Sequence, residues 1–175
     1  MKILHLSNSD LEGGGSVVTY RLHEALIKKK INSKILVNSK ISKNENIISQ
    51  RSTLENCKNQ IKNSLVFRLR KLLKVNHPGT ISLNFFPSKI LKYMDNVPSD
   101  IIHLHAINKE MISIKQISQI KKPLVWTFMD MWPLCGVEHY SETEEFIHGY
   151  SSHRKLDLNY WNWNKKKAFW KKKFK

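Results

Sequence analysis

Residues 100–140 read DIIHLHAINKEMISIKQISQIKKPLVWTFMDMWPLCGVEHY. Two short apolar runs, 101–107 and 124–128, flank a segment with helical spacing, and polar and aromatic residues close each run. This order predicts a strand at 101–105, a helix near 110–120 and a strand at 124–128, hence a parallel pair joined by a right-handed crossover. In open parallel sheets, ligands bind in the crevice beyond the carboxyl ends of the strands. His105, Met129 and Asp130 are therefore expected to face the bound molecule.

Working outward, residues 3–6 form a short apolar run, followed by SNSDLEGGGS and then VVTYRLHEALIKKK. Val18, Leu22, Ala25 and Leu26 share a side at helical spacing, and Lys28 to Lys30 suit a helix C-terminus. The prediction is strand, glycine loop, helix, with a second strand at 35–37 and a polar loop over 39–57. Residues 58–74 carry an apolar stripe of Ile61, Leu65, Leu69 and Leu72, with HPGT at 77–80 as the stop. An extended piece through Phe86 and a short helix starting near Pro87 complete an α/β domain over 1–150. Residues 151–175 are expected to form a basic aromatic helix, with Tyr160, Trp163, Trp170 and Phe174 on one stripe interrupted by Lys167. No stop signal closes that helix, which reads as an incomplete C-terminal end.

The 175 residues suit one domain, and a hydrophobic fraction of 41% suits a packed core. Thirty basic against 14 acidic residues give a net charge of +16. That surplus favours anionic partners: phosphate-bearing ligands, anionic lipid or nucleic acid. Cys57 and Cys135 lie far apart and read as free thiols in a reducing cytoplasm. No stretch approaches the roughly 20 apolar residues of a membrane span, so any membrane contact is expected to be peripheral.

Gly13, Gly14 and Gly15 between a strand and a helix permit close backbone approach to a ligand, and the helix start offers free N–H groups to a phosphate. Neither usual nucleotide fingerprint is present. The same residues read equally as a flexible turn with Ser16 as an N-cap. His103 and His105 point to one face of their strand, but a metal needs a third ligand, so no metal site is assigned. Glu138 and His139 give a weak acid/base hint, and no Ser-His-Asp or Cys-His set stands out. Trp126, Trp132 and Tyr140 can stack on a sugar ring or fill a core. The terminal helix suits either a membrane surface or packing against more protein.

The segments KILHLSNSDLEGGGSVVTYRLHEALIKKK, DIIHLHAIN, PLVWTFMDMWPLCGVEHYS and DLNYWNWNKKKAFW, in this order, resemble retaining family-4 glycosyltransferases of the GT-B fold, of the colanic-acid and exopolysaccharide type. The resemblance implies a Rossmann-like parallel sheet with helices on both faces, forming the acceptor-side half of a GT-B enzyme of bacterial surface-polysaccharide synthesis. It implies a nucleotide-sugar donor, a saccharide or lipid-linked acceptor, no metal and no nucleic acid. The expected location is cytoplasmic, and the segments 58–74 and 156–175, which join apolar side chains to lysine and arginine, suit peripheral contact with the inner face of the plasma membrane. Gly13, Gly14, Gly15 and Ser16 would approach the donor diphosphate; His105 and Asp130 would serve catalysis; Trp132, His139 and Tyr140 would meet the acceptor. The family's segment typically reads W-T-L-H-D-M-W, and its histidine, which contacts the donor sugar, is Met129 here. A thioether donates no hydrogen bond. The family's cysteine cluster after the H-Y pair is missing too, and the donor-binding domain lies outside this sequence. A chain inactive alone is therefore expected; the competing expectation is a non-catalytic remnant or a peripheral membrane-binding module.

Overall fold

The computed structural model describes residues 1–49, 61–62, 64–69, 79–150 and 157–174. Five strands form one all-parallel sheet: β1 Lys2–Ser9, β2 Asn32–Ser39, β3 Ile47–Ser49, β4 Ile101–Leu104 and β5 Leu124–Trp126, in the order β3-β2-β1-β4-β5. The helices are α1 Gly14–Lys28, α2 Ile90–Asp95, α3 Ile114–Gln119, α4 Glu145–His148 and α5 Leu158–Lys173. This is the Rossmann-like α/β architecture, with a C-terminal helix added. The strand β3 falls inside the predicted 39–57 loop; three residues are too few to show alternation in sequence.

The two faces of the sheet differ in chemistry. On one, Leu4, Leu6, Leu36, Ile102 and Leu104 pack with Ile90, Met94, Ile114 and Ile117 into the main core, and Phe169 and Trp170 of α5 close over it. A Ser113–Gln116 capping box starts α3, and Gln116 also bonds the backbone of Ser88, which ties α3 to the segment before α2. The other face is covered by α1, and there the buried helix residues are Ser16, Thr19 and His23. The predicted inward face of α1 is corrected accordingly: Val18 is 50% exposed, while the polar stripe meets Ser7 and Ser33 of the strands. Hydrophobic spacing misses a helix whose buried side is polar.

Two other faces differ from expectation. In the helical residues 64–69, Val66 and Leu69 pack on Leu83, Val137 and Leu158, whereas Ile61 and Leu65 of the predicted stripe are exposed. Leu72, the 77–78 part of the stop signal and Cys57 lie outside the described residues. In α5 the buried positions are Leu158, Asn162 and Lys166, four residues apart, not the stripe through Tyr160 and Trp163. Among the described residues no helix is long and apolar enough to cross a membrane.

Candidate functional site

In the order β3-β2-β1-β4-β5 the chain reverses direction across the sheet between β1 and β4. Such a reversal opens a crevice at the carboxyl ends of the strands, because the connections leave to opposite faces. The loop after β1 and the loop after β4 flank it. The Asn8 amide donates to the Ala106 carbonyl at 2.7 Å, and Lys109 Nζ lies 3.2 Å from the Glu12 carboxylate. A Cβ on Gly15 would stand 3.1 Å from Ala106 Cβ and 3.3 Å from Met129 Cγ. The glycine bend, the tip of β4 and the segment after β5 thus converge. An added Cβ would be a tight fit here, so Ala106 and the Met129 side chain would have to give by a few tenths of an ångström.

Gly13 is the N-cap of α1, with φ of 86°. Helix α1 therefore starts before Ser16, which is buried with its hydroxyl 3.3 Å from that of Ser7 rather than acting as a cap. A Cβ on Gly13 or Gly14 would meet nothing within 4 Å, so the outer part of the bend faces open space. The Ser16 and Val17 amides of the first turn already donate to the Gly13 carbonyl, each at 3.1 Å, so an anion would find its donors at the Gly14 and Gly15 amides.

Asp10, fully buried behind the bend, holds the neighbouring loop. Its two oxygens accept from the amides of Ile41 and Ser42, each at 2.8 Å. Burial alone would raise its carboxyl, but hydrogen bonds from Ser42 and Ile41 outweigh it and hold the group below the ordinary carboxylate value. The sign follows from linkage: the unfolded chain binds the proton more readily, so Asp10 contributes stability above the unfolded value near 3.8, lost as pH falls through the folded value. Acid unfolding below about pH 4 should thus be shallower in Asp10→Asn than in the wild type. Parallel acid titrations followed by circular dichroism measure this; identical slopes would remove Asp10 from the account.

Beyond β5, Asp130 and His139 meet. Asp130 Oδ2 lies 2.5 Å from His139 Nδ1, His139 Nε2 lies 2.9 Å from Ser82 Oγ, and Asp130 Oδ1 accepts from the Trp132 amide. A Ser-His-Asp chain is therefore present although none stands out in the sequence, because Ser82 is 57 residues from His139. Ser82 is only 2% exposed, so the chain positions the 130–139 loop and does not offer a nucleophile. Glu138 turns elsewhere: it accepts from the Tyr150 hydroxyl, so it shares no partner with His139. Burial, and next Glu138, push the Cys135 thiol up to about 11, which leaves it inert at neutral pH.

Of the predicted acceptor residues, Trp132 and His139 are buried together and Tyr140 is exposed. Trp132 is buried, its indole N–H donates to the Ser82 carbonyl, Lys166 Nζ lies 3.8 Å from its ring centroid, and His139 stacks on it. Its ring is thus packed by Lys166 and His139, whereas Tyr140 is 64% exposed. His105 is 3% exposed and packs against His5 and His103. Burial, followed by the neighbouring His103 and His5, depresses it to about 3, so its ring is neutral at pH 7.

Two features of the crevice have no counterpart in the sequence reading. Glu110 is buried and accepts from the amides of Asn84, Phe85 and Phe86, while Asn84 Nδ2 donates to the carbonyls of Ile107 and Ile112. Asn84, Lys109 and Glu110 all have positive φ. This network fixes the loop after β4, and the sequence signal for it is slight: an asparagine inside the largely apolar run 81–86 and a glutamate just before Met111 and Ile112. Comparison of the chain with protein-family models, with curated proteins and with solved structures gives no match.

Proposed function

We propose that this chain is the acceptor-side half of a sugar-transfer site that takes its donor as a nucleotide-sugar. The observation that carries the reading is the convergence of Gly15, Ala106 and Met129 at the β1–β4 crevice. A retaining transfer from a nucleoside-diphosphate sugar needs hydrogen-bond donors where the diphosphate leaves, and the Gly14 and Gly15 amides at the start of α1 supply them. Gly13 and Gly14 keep that approach open. Met129 then lies beside the leaving group's path, where the glycosyltransferases that the sequence resembles carry a histidine. Asp130 acts through His139, holding its ring in one orientation, and Tyr140 is the exposed aromatic face for a sugar ring.

On this reading the chain supplies positioning and leaving-group stabilisation, and a second domain supplies the nucleotide site. The surplus of positive charge, +16 overall, suits a diphosphate donor and a phosphate-linked acceptor. The experiment is glycosyl transfer by this chain joined to a GT-B donor domain, assayed with a panel of nucleotide-sugars. Transfer above that of the donor domain alone supports the reading. A Met129→His version should be faster, because the imidazole restores a hydrogen bond that a thioether cannot make. Equal rates with and without this chain would contradict it.

A further inference from the structure

His103 and His105 share a face of β4, and the register pairs His103 with His5 of β1. The third nitrogen ligand that the β4 sequence lacks is therefore supplied by the neighbouring strand. Ring centroids of His103 and His105 lie 3.9 Å apart, and His5 stands 5.1 Å from each. His5 Nδ1 and His105 Nε2 are 2.9 Å apart. His103 Nε2 lies 2.8 Å from Thr127 Oγ1, an orienting contact of the kind that metal-ligating histidines make. His5 is fully buried and His105 nearly so, yet His5 Nε2 and His105 Nδ1 have no hydrogen-bond partner.

We propose that His5, His103 and His105 form a binding site for a borderline divalent transition-metal ion, of which Zn2+ is the reference case. One nitrogen from each ring lies within 4.8 Å of the others. A tetrahedral ion with ligands at about 2.05 Å holds its nitrogens about 3.3 Å apart, so modest side-chain rotations close the set. Burial, with the neighbouring rings next, depresses His5 and His105 to about 3, so both present neutral lone pairs at pH 7. The His5–His105 hydrogen bond uses one N–H; on binding, that proton moves to a ring nitrogen facing away from the ion, and no proton need leave the protein. A set of imidazoles without a carboxylate suits Zn2+, Ni2+, Cu2+ or Co2+ and disfavours Mg2+ and Ca2+. Partly buried His103 pairs in register with Val125, which is 47% exposed, and this side of the sheet gives the ion its approach. Once bound, the ion would clamp β1 to β4 directly beneath the glycine bend.

The proposal stands apart from the glycosyl-transfer reading, and its test needs no turnover. Co2+ titrated into the purified chain should be taken up in one equivalent, with the visible absorption of a low-coordinate nitrogen site. Zn2+ should compete it away and Mg2+ should not. His103→Gln, at the least buried of the three positions, should weaken uptake by more than the roughly 10–100-fold that loss of a supporting group costs. In the wild type, Zn2+ should shift the imidazole nitrogen resonances of His5, His103 and His105 together, a reading that does not depend on any variant folding. Uptake unchanged in His103→Gln, or resonance shifts confined to other histidines, would show surface binding and overturn the site. No uptake by the folded chain would do the same.

Discussion

Lys166→Met lowers the stability of the fold by on the order of 3–5 kcal/mol, read as a fall in the urea midpoint. Lys166 lies in the middle of the buried side of α5, 2% exposed. Its three ammonium protons meet three carbonyls, those of Trp132, Cys135 and Gly136, and the ammonium sits over the Trp132 ring. Burial pushes the amine well below the ordinary lysine value. The carbonyls and the indole face are what offset that cost. Methionine fills most of the volume but donates nothing, so three buried carbonyls lose their donor at once. Each such group costs about 1–3 kcal/mol, against a total margin of about 5–15 kcal/mol for a typical domain. A midpoint within error of the wild type would mean that α5 does not dock as described. Lys173→Met makes a useful comparison, since Lys173 reaches one carbonyl, that of Ile120, and should cost far less.

Gly136→Ala is the second large effect, about 3 kcal/mol of destabilisation, with α5 displaced rather than the sheet. A Cβ at this glycine would stand 2.6 Å from the Cα of Asn159 and 2.5 Å from its Oδ1. The Cα is backbone, so no rotamer change relieves the contact. Asn159 Oδ1 also accepts from the Val137 amide at 2.8 Å, a bond that would be lost as the helix shifts. Limited proteolysis within α5, with the sheet intact, would accompany the loss. An unchanged melting temperature would contradict the close approach of α5 to this loop.

These two residues show where the sequence could be read and where it could not. The parallel sheet was legible because Ile102, Leu104 and their neighbours bury apolar side chains at short, regular intervals, and strand–helix–strand order leaves one hand for the crossover. The glycine bend was legible because three consecutive glycines follow a strand. By contrast, α1 and α5 bury polar residues: Ser16, Thr19 and His23 in one, Asn162 and Lys166 in the other. A pattern method assigns such residues to solvent, since their burial depends on partners that only the fold brings near. Ser82 with His139, and His5 with His103, are pairs of that kind, separated by 57 and 98 residues respectively, and no local spacing announces them.

The central claim is that the glycine bend faces the departing diphosphate. Gly14 gives the cleanest test, because an added Cβ there meets nothing within 4 Å and its φ is not in the left-handed region. Gly14→Asp should leave the melting temperature unchanged while placing a carboxylate at the start of α1, where an anionic group of the donor would come. In this chain joined to a GT-B donor domain, the account predicts that the substitution lowers the rate of sugar transfer by about 100-fold, the scale of losing a donor to a developing oxyanion. Transfer at the wild-type rate, in a variant as stable as the wild type, would contradict it.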